Sequence, residues 1–328
     1  MRAVWFGNGK AEIREIPPPE PGPGEALVKT LLAGICNTDL ELLAGYYDFR
    51  GVPGHEFVAR VESAPGLPEM VGRLVGADIN LGCGECPQCR RHGGHHCPNR
   101  RTLGIREAQG AFAEYMVIPL VNLRPLPQGL APEKAVFAEP LAAALRIAQQ
   151  VHLGGVQRVL VLGDGKLGLL CALALRPLTG GLVLAGRHPN KLRLAQAQGV
   201  ETALVSQRAG PGETTRQIGT FDLVVEATGN PQGLGLALSL VRPEGVVVAK
   251  TTSHEPSQLD LARLVVNEVR LQGSRCGDVG QALSYLAAGW LDPLPLVEAA
   301  FPFGDFPQAL ARARKKGALK VLVDFREN

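Results

Sequence analysis

The stretch Arg158-Val-Leu-Val-Leu-Gly-Asp-Gly-Lys-Leu-Gly168 decides the fold. Residues 159–162 form a short apolar run, the pattern of a strand buried on both faces of a parallel sheet. Gly163, Gly165 and Gly168 follow at G-x-G-x-x-G spacing, and an apolar helical run continues from Leu167 to Leu175. Strand, glycine turn and helix in that order fit a dinucleotide-binding fingerprint. The first glycine permits the tight turn, the second lets a pyrophosphate approach the backbone, and the third lets helix pack on strand. The first helical turn then offers free N–H groups and a partial positive charge to phosphates. Lys166 and Leu167 lie inside this turn, where Lys166 either touches phosphate or faces solvent. Glycine turns between strand and helix are common, so the reading depends on what lies on either side.

Downstream, short apolar runs alternate with helical ones. Strands are expected at 182–185, 203–205, 221–226, 245–249 and 269–273, with helices at 189–198 and 234–241. With 159–162 this predicts a doubly wound α/β sheet of about six parallel strands, a Rossmann domain over 141–273. In this fold an acidic residue about 20 positions after the glycine turn holds the ribose 2′-OH. Here that place reads Ala185-Gly-Arg-His188. Gly186 stands where the carboxylate is expected, so nothing in the local sequence repels a 2′-phosphate. Arg187 can pair with such a phosphate bidentately, and Lys191 follows one helical turn later. NADP(H) is therefore expected over NAD(H), against the alternative of a solvated arginine at a strand end.

Upstream, residues 1–140 read as an irregular β domain. Strands are expected at 3–6, 11–16, 26–33, 58–61, 110–118 and 121–126, and a helix at 138–151. Cys83, Cys86, Cys89 and Cys97 are packed into fifteen residues. Four thiolates in one short lobe can close a tetrahedron around Zn²⁺ with no open position, which makes the site structural. His92, His95 and His96 lie in the lobe and are read as surface residues. Arg90, Arg91, Arg100 and Arg101 raise the rival of a nucleic-acid zinc ribbon, but no aromatic residues are interleaved with them. Cys36 and His55 are either a second set of zinc ligands or a buried small residue and a loop histidine. Their position upstream of a dinucleotide turn favours the metal. Glu139 precedes a proline that begins a helix. It is either a carboxylate favoured by the helix dipole or a third protein ligand. After residue 273 the alternation fades into helices at 280–289 and 306–316 and strands at 297–300 and 318–325. That tail, 274–328, is too short for its own domain and is expected to rejoin the first.

The totals exclude several classes. Of 328 residues, 45% are hydrophobic and 20% charged, ordinary values for a globular chain of about two domains. A formal net charge of +3 argues against nucleic acid or an anionic membrane as the main partner. No apolar run reaches the length of a bilayer span. The first residues enter a strand pattern and lack a signal-peptide core, so a cytoplasmic location is expected. The seven cysteines then read as ligands and buried residues rather than disulfides.

Taken together, the chain resembles the zinc-dependent medium-chain alcohol dehydrogenases, in their polyol or sorbitol dehydrogenase-like branch, over nearly its whole length. The matching pieces are Gly34-Ile-Cys-Asn-Thr-Asp39, Pro53-Gly-His-Glu56, the four-cysteine lobe, Phe112-Ala-Glu-Tyr115, Glu139-Pro-Leu, the glycine turn and Glu226-Ala-Thr-Gly-Asn230. The resemblance implies a GroES-like catalytic domain split around a Rossmann domain, a homodimer or homotetramer, and two zinc ions, one catalytic and one structural. It implies that Cys36 and His55 are catalytic-zinc ligands, that Glu139 fills the third slot, and that Glu56 ligates in some states. It makes Thr38 the hydroxyl beside the substrate oxygen, Asp39 the carboxylate that orients the ligand histidine, and Ala227 and Thr228 cofactor contacts. Two departures stand out. Relatives often carry a proton-relaying histidine where this chain has Glu41, and the segment between Cys36 and His55 is short, with Tyr46-Tyr-Asp-Phe-Arg50. The expected activity is hydride transfer between an alcohol, polyol or sugar hydroxyl and NADP(H). The alternative is a catalytically impaired, cofactor-binding redox sensor.

Overall fold

The computed structural model describes residues 1–206, 210–252 and 255–326. It divides into two compact units: Met1–Glu139 with Asp278–Gly289 and Pro293–Asn328, and Pro140–Gly277 with Trp290–Asp292. The chain thus re-enters the first unit at Asp278 rather than 274, and three residues after Gly289 belong with the second.

The second unit is built on six parallel strands, Val159–Leu162, Leu182–Gly186, Glu201–Leu204, Phe221–Glu226, Val241–Ala249 and Arg270–Gly273. In the sheet they stand as third, second, first, fourth, fifth, sixth. The first strand is central and fully buried, as its unbroken apolar run requires. Each such Val or Leu contributes about 1.5–3 kcal/mol by leaving water. The order reverses beside this strand, and ligands of open α/β sheets bind at the carboxyl ends at that point. The helix Lys166–Leu175 leaves the glycine turn directly. Two helices escape a periodicity reading, Pro211–Ile218 and Leu261–Val266. Both are short, and the second exposes Leu261, Val265 and Val266 instead of burying an apolar stripe.

The first unit is a β-rich body. Its main sheet runs Leu123–Pro125, Leu74–Ala77, Glu56–Ser63, Glu25–Ile35, Lys320–Asp324, Val297–Pro302, with Tyr115–Pro119 also on Glu25–Ile35. The long strand Glu25–Ile35 is the hub. It pairs antiparallel with Glu56–Ser63 on one side and Lys320–Asp324 on the other. Tail and head are thereby joined in one sheet over a core that includes Phe6, Phe112, Phe303 and Phe306. The strand expected at 110–118 begins only at Tyr115. Gly110, Ala111 and Phe112 instead donate their N–H groups to Val52, Gly54 and Pro53. The strand expected at 121–126 is a turn at Leu120–Asn122 followed by Leu123–Pro125; Val121 is exposed.

Candidate active site and zinc lobe

The hub strand ends at Ile35, and Cys36 turns the chain into the helix Asn37–Leu43. Asp39, at the third helical position, accepts the Cys36 N–H at 2.8 Å, so helix entry and cysteine placement share one hydrogen bond. Across the register Gly34 pairs with Glu56 on one neighbour and Leu322 on the other. His55 and Glu56 therefore arrive at the same sheet end as Cys36. The ligand atoms of Cys36, His55 and Glu56 all lie within 4.8 Å of one another. Glu139, expected as the third ligand, is not in this group; it sits half-buried in the first turn of Ala138–Gln150.

Every member of the group has a partner from the protein. His55 is 3% exposed, and its Nδ1 lies 3.3 Å from Asp39 Oδ1. Burial pulls the imidazole pKa down, but the Asp39 carboxylate beside it, with a contribution from Cys36, carries it well above the ordinary value. Asp39 thus fixes which face of the ring is free, the usual arrangement behind a metal-bound histidine. Thr38 is half-buried, and its Oγ1 is 3.8 Å from Cys36 Sγ. Glu41 is exposed one turn along the helix. Its charge reaches Tyr46, whose phenol donates to Tyr47 at 3.1 Å. That hydrogen bond first, then burial and the charges of Tyr47 and Glu41, raise the Tyr46 pKa to about 12.

Sequence reading missed Lys320. It is buried at the first position of the strand Lys320–Asp324, and its ammonium pairs with Glu56 Oε2. Burial lowers its pKa, but Glu56, Cys36 and Asp39 raise it further, so the cation is kept. A methyl group on Gly34 would stand 2.7 Å from Glu56 Oε2 and 3.1 Å from Lys320 Cδ, which explains the glycine before Ile35-Cys36. The only sequence signal for Lys320 was a charged residue opening the apolar run Val321–Val323.

A soft thiolate, an imidazole and a carboxylate at this mutual distance are a donor set that fits Zn²⁺ with a position left open. The lobe fits a closed site. Its sulfurs lie 3.6 Å (Cys83–Cys97), 3.9 Å (Cys86–Cys97) and 4.0 Å (Cys83–Cys89) apart. A tetrahedron with Zn–S bonds of about 2.3 Å has edges of about 3.8 Å. Backbone N–H groups of Glu85 and Cys86 lower the Cys83 thiol to about 7, while burial and the neighbouring sulfurs push Cys89 up to about 12. A cation shared at this spacing is what would let all four sulfurs be thiolates together. His96 is exposed and His95 half-buried; the His92 side chain lies outside the described residues.

In the second unit the glycine turn is compact. A Cβ on Gly168 would meet Gly163 O at 1.9 Å, whereas one on Gly165 would meet nothing within 4 Å. Gly165 is also the N-cap of Lys166–Leu175 and gives that helix no side-chain cap. Free N–H groups thus face open room, as a pyrophosphate requires. Lys166 and Leu167 are half-buried in the first turn of that helix. Ala227 and Thr228 follow the fourth strand. Glu226, 1% exposed, accepts from Thr228 N, Thr228 Oγ1 and Thr251 Oγ1 at 2.6–2.8 Å and so fixes their loop. Arg187 is exposed and Lys191 buried. One premise of the NADP(H) expectation fails here. The end of the second strand does hold a carboxylate, that of Asp164, which accepts from the Arg187 and His188 N–H groups. It comes from the glycine turn, 22 residues before Gly186.

Two family matches, one in each half of the chain, agree with this architecture. Residues 22–128 match the alcohol dehydrogenase GroES-like domain, and residues 167–289 the zinc-binding dehydrogenase family. The chain belongs to the zinc-dependent medium-chain alcohol dehydrogenases, in their polyol-dehydrogenase-like part, and is an NAD(P)-dependent enzyme of that class. It is 30% identical to L-threonine 3-dehydrogenase of Coxiella burnetii, with 96% of each chain covered. It is 29% identical to L-idonate 5-dehydrogenase (NAD(P)(+)) of Escherichia coli, with 91% of each covered. Among solved structures, an alcohol dehydrogenase (rspB) from E. coli CFT073, complexed with cofactor NADH, superposes with a TM-score of 0.92 at 28% identity and 99% coverage of both chains.

Proposed function

We propose that this protein oxidises a secondary alcohol of a small polyol, sugar acid or hydroxy amino acid, reversibly, at a zinc centre held by Cys36 and His55. The convergence of Cys36, His55 and Glu56 at one sheet end carries this reading. Zinc bound there would act as a Lewis acid on the substrate hydroxyl, making its proton easier to remove. A nicotinamide held by the glycine-turn unit would accept the hydride. The chain's own residues then have defined tasks. Thr38 stands beside Cys36 to receive the hydroxyl proton. Glu41, exposed on the same helix, passes it to solvent in place of the histidine found in relatives. Asp39 holds the His55 ring, and Lys320 holds Glu56 until that carboxylate is needed as a ligand; Glu139 is the alternative third ligand. The lobe carries a second, structural zinc.

For the cofactor, Arg187 and Lys191 support NADP(H) over NAD(H), while the Asp164 carboxylate at the same strand end opposes it. The substrate class follows the relatives, one acting on idonate and another on threonine. Cysteines outside any disulfide suit a reducing, cytoplasmic setting, and among the described residues no helix is long and apolar enough to cross a membrane. The strand Arg270–Gly273 ends its sheet beside the exposed Leu261, Val265 and Val266. A second copy of the chain on that edge accords with a homodimer or homotetramer.

The test is a panel of polyols, aldonates and hydroxy amino acids assayed with NAD⁺ and NADP⁺, alongside zinc analysis of the purified protein. About two zincs per chain and turnover of at least one secondary alcohol are expected. One zinc per chain and no turnover of any member would leave only the structural lobe and defeat the proposal.

A further inference from the structure

Cofactor choice in this fold is made at the end of the second sheet strand, where this chain has Gly186. The structure fills that place from another segment. Asp164, the second residue of the glycine turn, is 7% exposed. Its Oδ2 accepts the N–H of Arg187 at 2.7 Å and of His188 at 2.6 Å, and its Oδ1 lies 3.0 Å from His188 Nδ1. A Cβ at position 186 would stand 2.5 Å from both Cβ and Oδ2 of Asp164. Gly186 is therefore the clearance that admits this carboxylate. Successive N–H groups where the chain turns from a strand into a helix, here Pro189–Gln196, form a seat for an anion. The anion here is the protein's own. Burial raises the Asp164 pKa, but the hydrogen bonds from His188 and the two N–H groups bring it below the ordinary carboxylate value.

We infer that Asp164 is the residue that determines selectivity at the cofactor's 2′ position: its carboxylate occupies the anion seat, opposes a 2′-phosphate and makes NAD(H) the preferred cofactor. The inference rests on the reading that this unit binds a nicotinamide dinucleotide. Of the two cations that suggested NADP(H), Lys191 is buried, which lowers its pKa, and the charge of Asp164 restores only part of that loss. Arg187 alone is exposed, a counterweight that leaves NADP(H) as the weaker ligand.

The experiment is calorimetric titration of the zinc-loaded full-length protein with NAD⁺ and NADP⁺, and with the fragments 5′-AMP and 2′,5′-ADP. The wild type is expected to bind NAD⁺ and 5′-AMP more tightly than their 2′-phosphorylated counterparts. Asp164→Asn keeps the shape and removes the charge. It should move the NADP⁺/NAD⁺ affinity ratio toward NADP⁺ by about tenfold or more, and adding Arg187→Ala should cancel that gain. Tighter binding of NADP⁺ than NAD⁺ by the wild type overturns the inference without any variant. So does an unchanged ratio in a folded Asp164→Asn protein that binds both dinucleotides. Binding of neither dinucleotide or fragment by the wild type overturns the dinucleotide reading itself, and this inference with it.

Discussion

The two candidate zinc sites in the first unit are opposites in construction. The lobe takes four ligands of one kind from fifteen consecutive residues, and Cys83 among them is exposed. The Cys36–His55–Glu56 centre takes three kinds of ligand from two segments and is backed by Asp39 and Lys320, both buried. In the lobe, the sulfur charges would balance against a cation enclosed by the four. In the centre, protein groups stand behind the ligands: Asp39 lies against the His55 ring and orients it, and Lys320 neutralises Glu56. The difference teaches how an open site stays poised. A closed site can rely on its metal to hold it together, whereas a site that must exchange ligands needs them held from behind.

That contrast can be broken by removing one ligand from each site. Cys36→Ser should lower turnover by about a thousandfold or more and reduce zinc content from two per chain to one, with thermal stability nearly unchanged. A similar loss of melting temperature and activity together would mean that the centre is structural too. Cys97→Ser, at the buried lobe cysteine, should do the reverse. Zinc again falls to one, Tm drops by about 5 °C or more, and turnover per folded molecule is largely kept, as read by calorimetry and active-site titration.

The supports behind the centre sharpen the comparison. Lys320→Ala leaves the Glu56 carboxylate buried and unpaired, which should cost about 3–5 kcal/mol in denaturant unfolding. Restoring stability with Lys320→Ala/Glu56→Gln would show that the charge, not the packing, is responsible. No comparable support is expected behind the lobe: Arg100→Ala, which removes a hydrogen bond to His95 O, should change stability by about 1 kcal/mol or less. Asp39→Asn should reduce zinc affinity or kcat about 10- to 100-fold, with the lobe zinc retained.

The smallest effect lies outside both sites and controls for general acid sensitivity. Asp164 is depressed in the folded protein. Its contribution is therefore complete above the unfolded carboxylate value of about 3.9 and lost as pH falls through the folded value. Asp164→Asn should flatten the stability curve below about pH 4 and leave the slope near neutrality untouched. A variant curve parallel to the wild type throughout would remove Asp164 from the acid-labile groups.

Much of this was legible because it is local. The six strands, the glycine turn and the four-cysteine lobe are each set by residues within a few positions of one another, where backbone geometry and thiol spacing act directly. Cys36 and His55 were legible as chemistry, and their meeting at one sheet end is a consequence of the hub strand's register. The Gly110–Phe112 segment was misread because its N–H groups are used by the 52–54 loop rather than a ladder. An apolar run does not say where its hydrogen bonds go.

By itself, then, the amino-acid sequence determined the parallel sheet, the dinucleotide turn, the closed thiol lobe and the residue types available for an open zinc centre. Only the tertiary structure decided that Lys320, 264 residues from Glu56, neutralises it, and that a carboxylate stands beside Gly186 after all. Charge acts through space, and a folded chain brings together groups whose sequence separation carries no record of their distance.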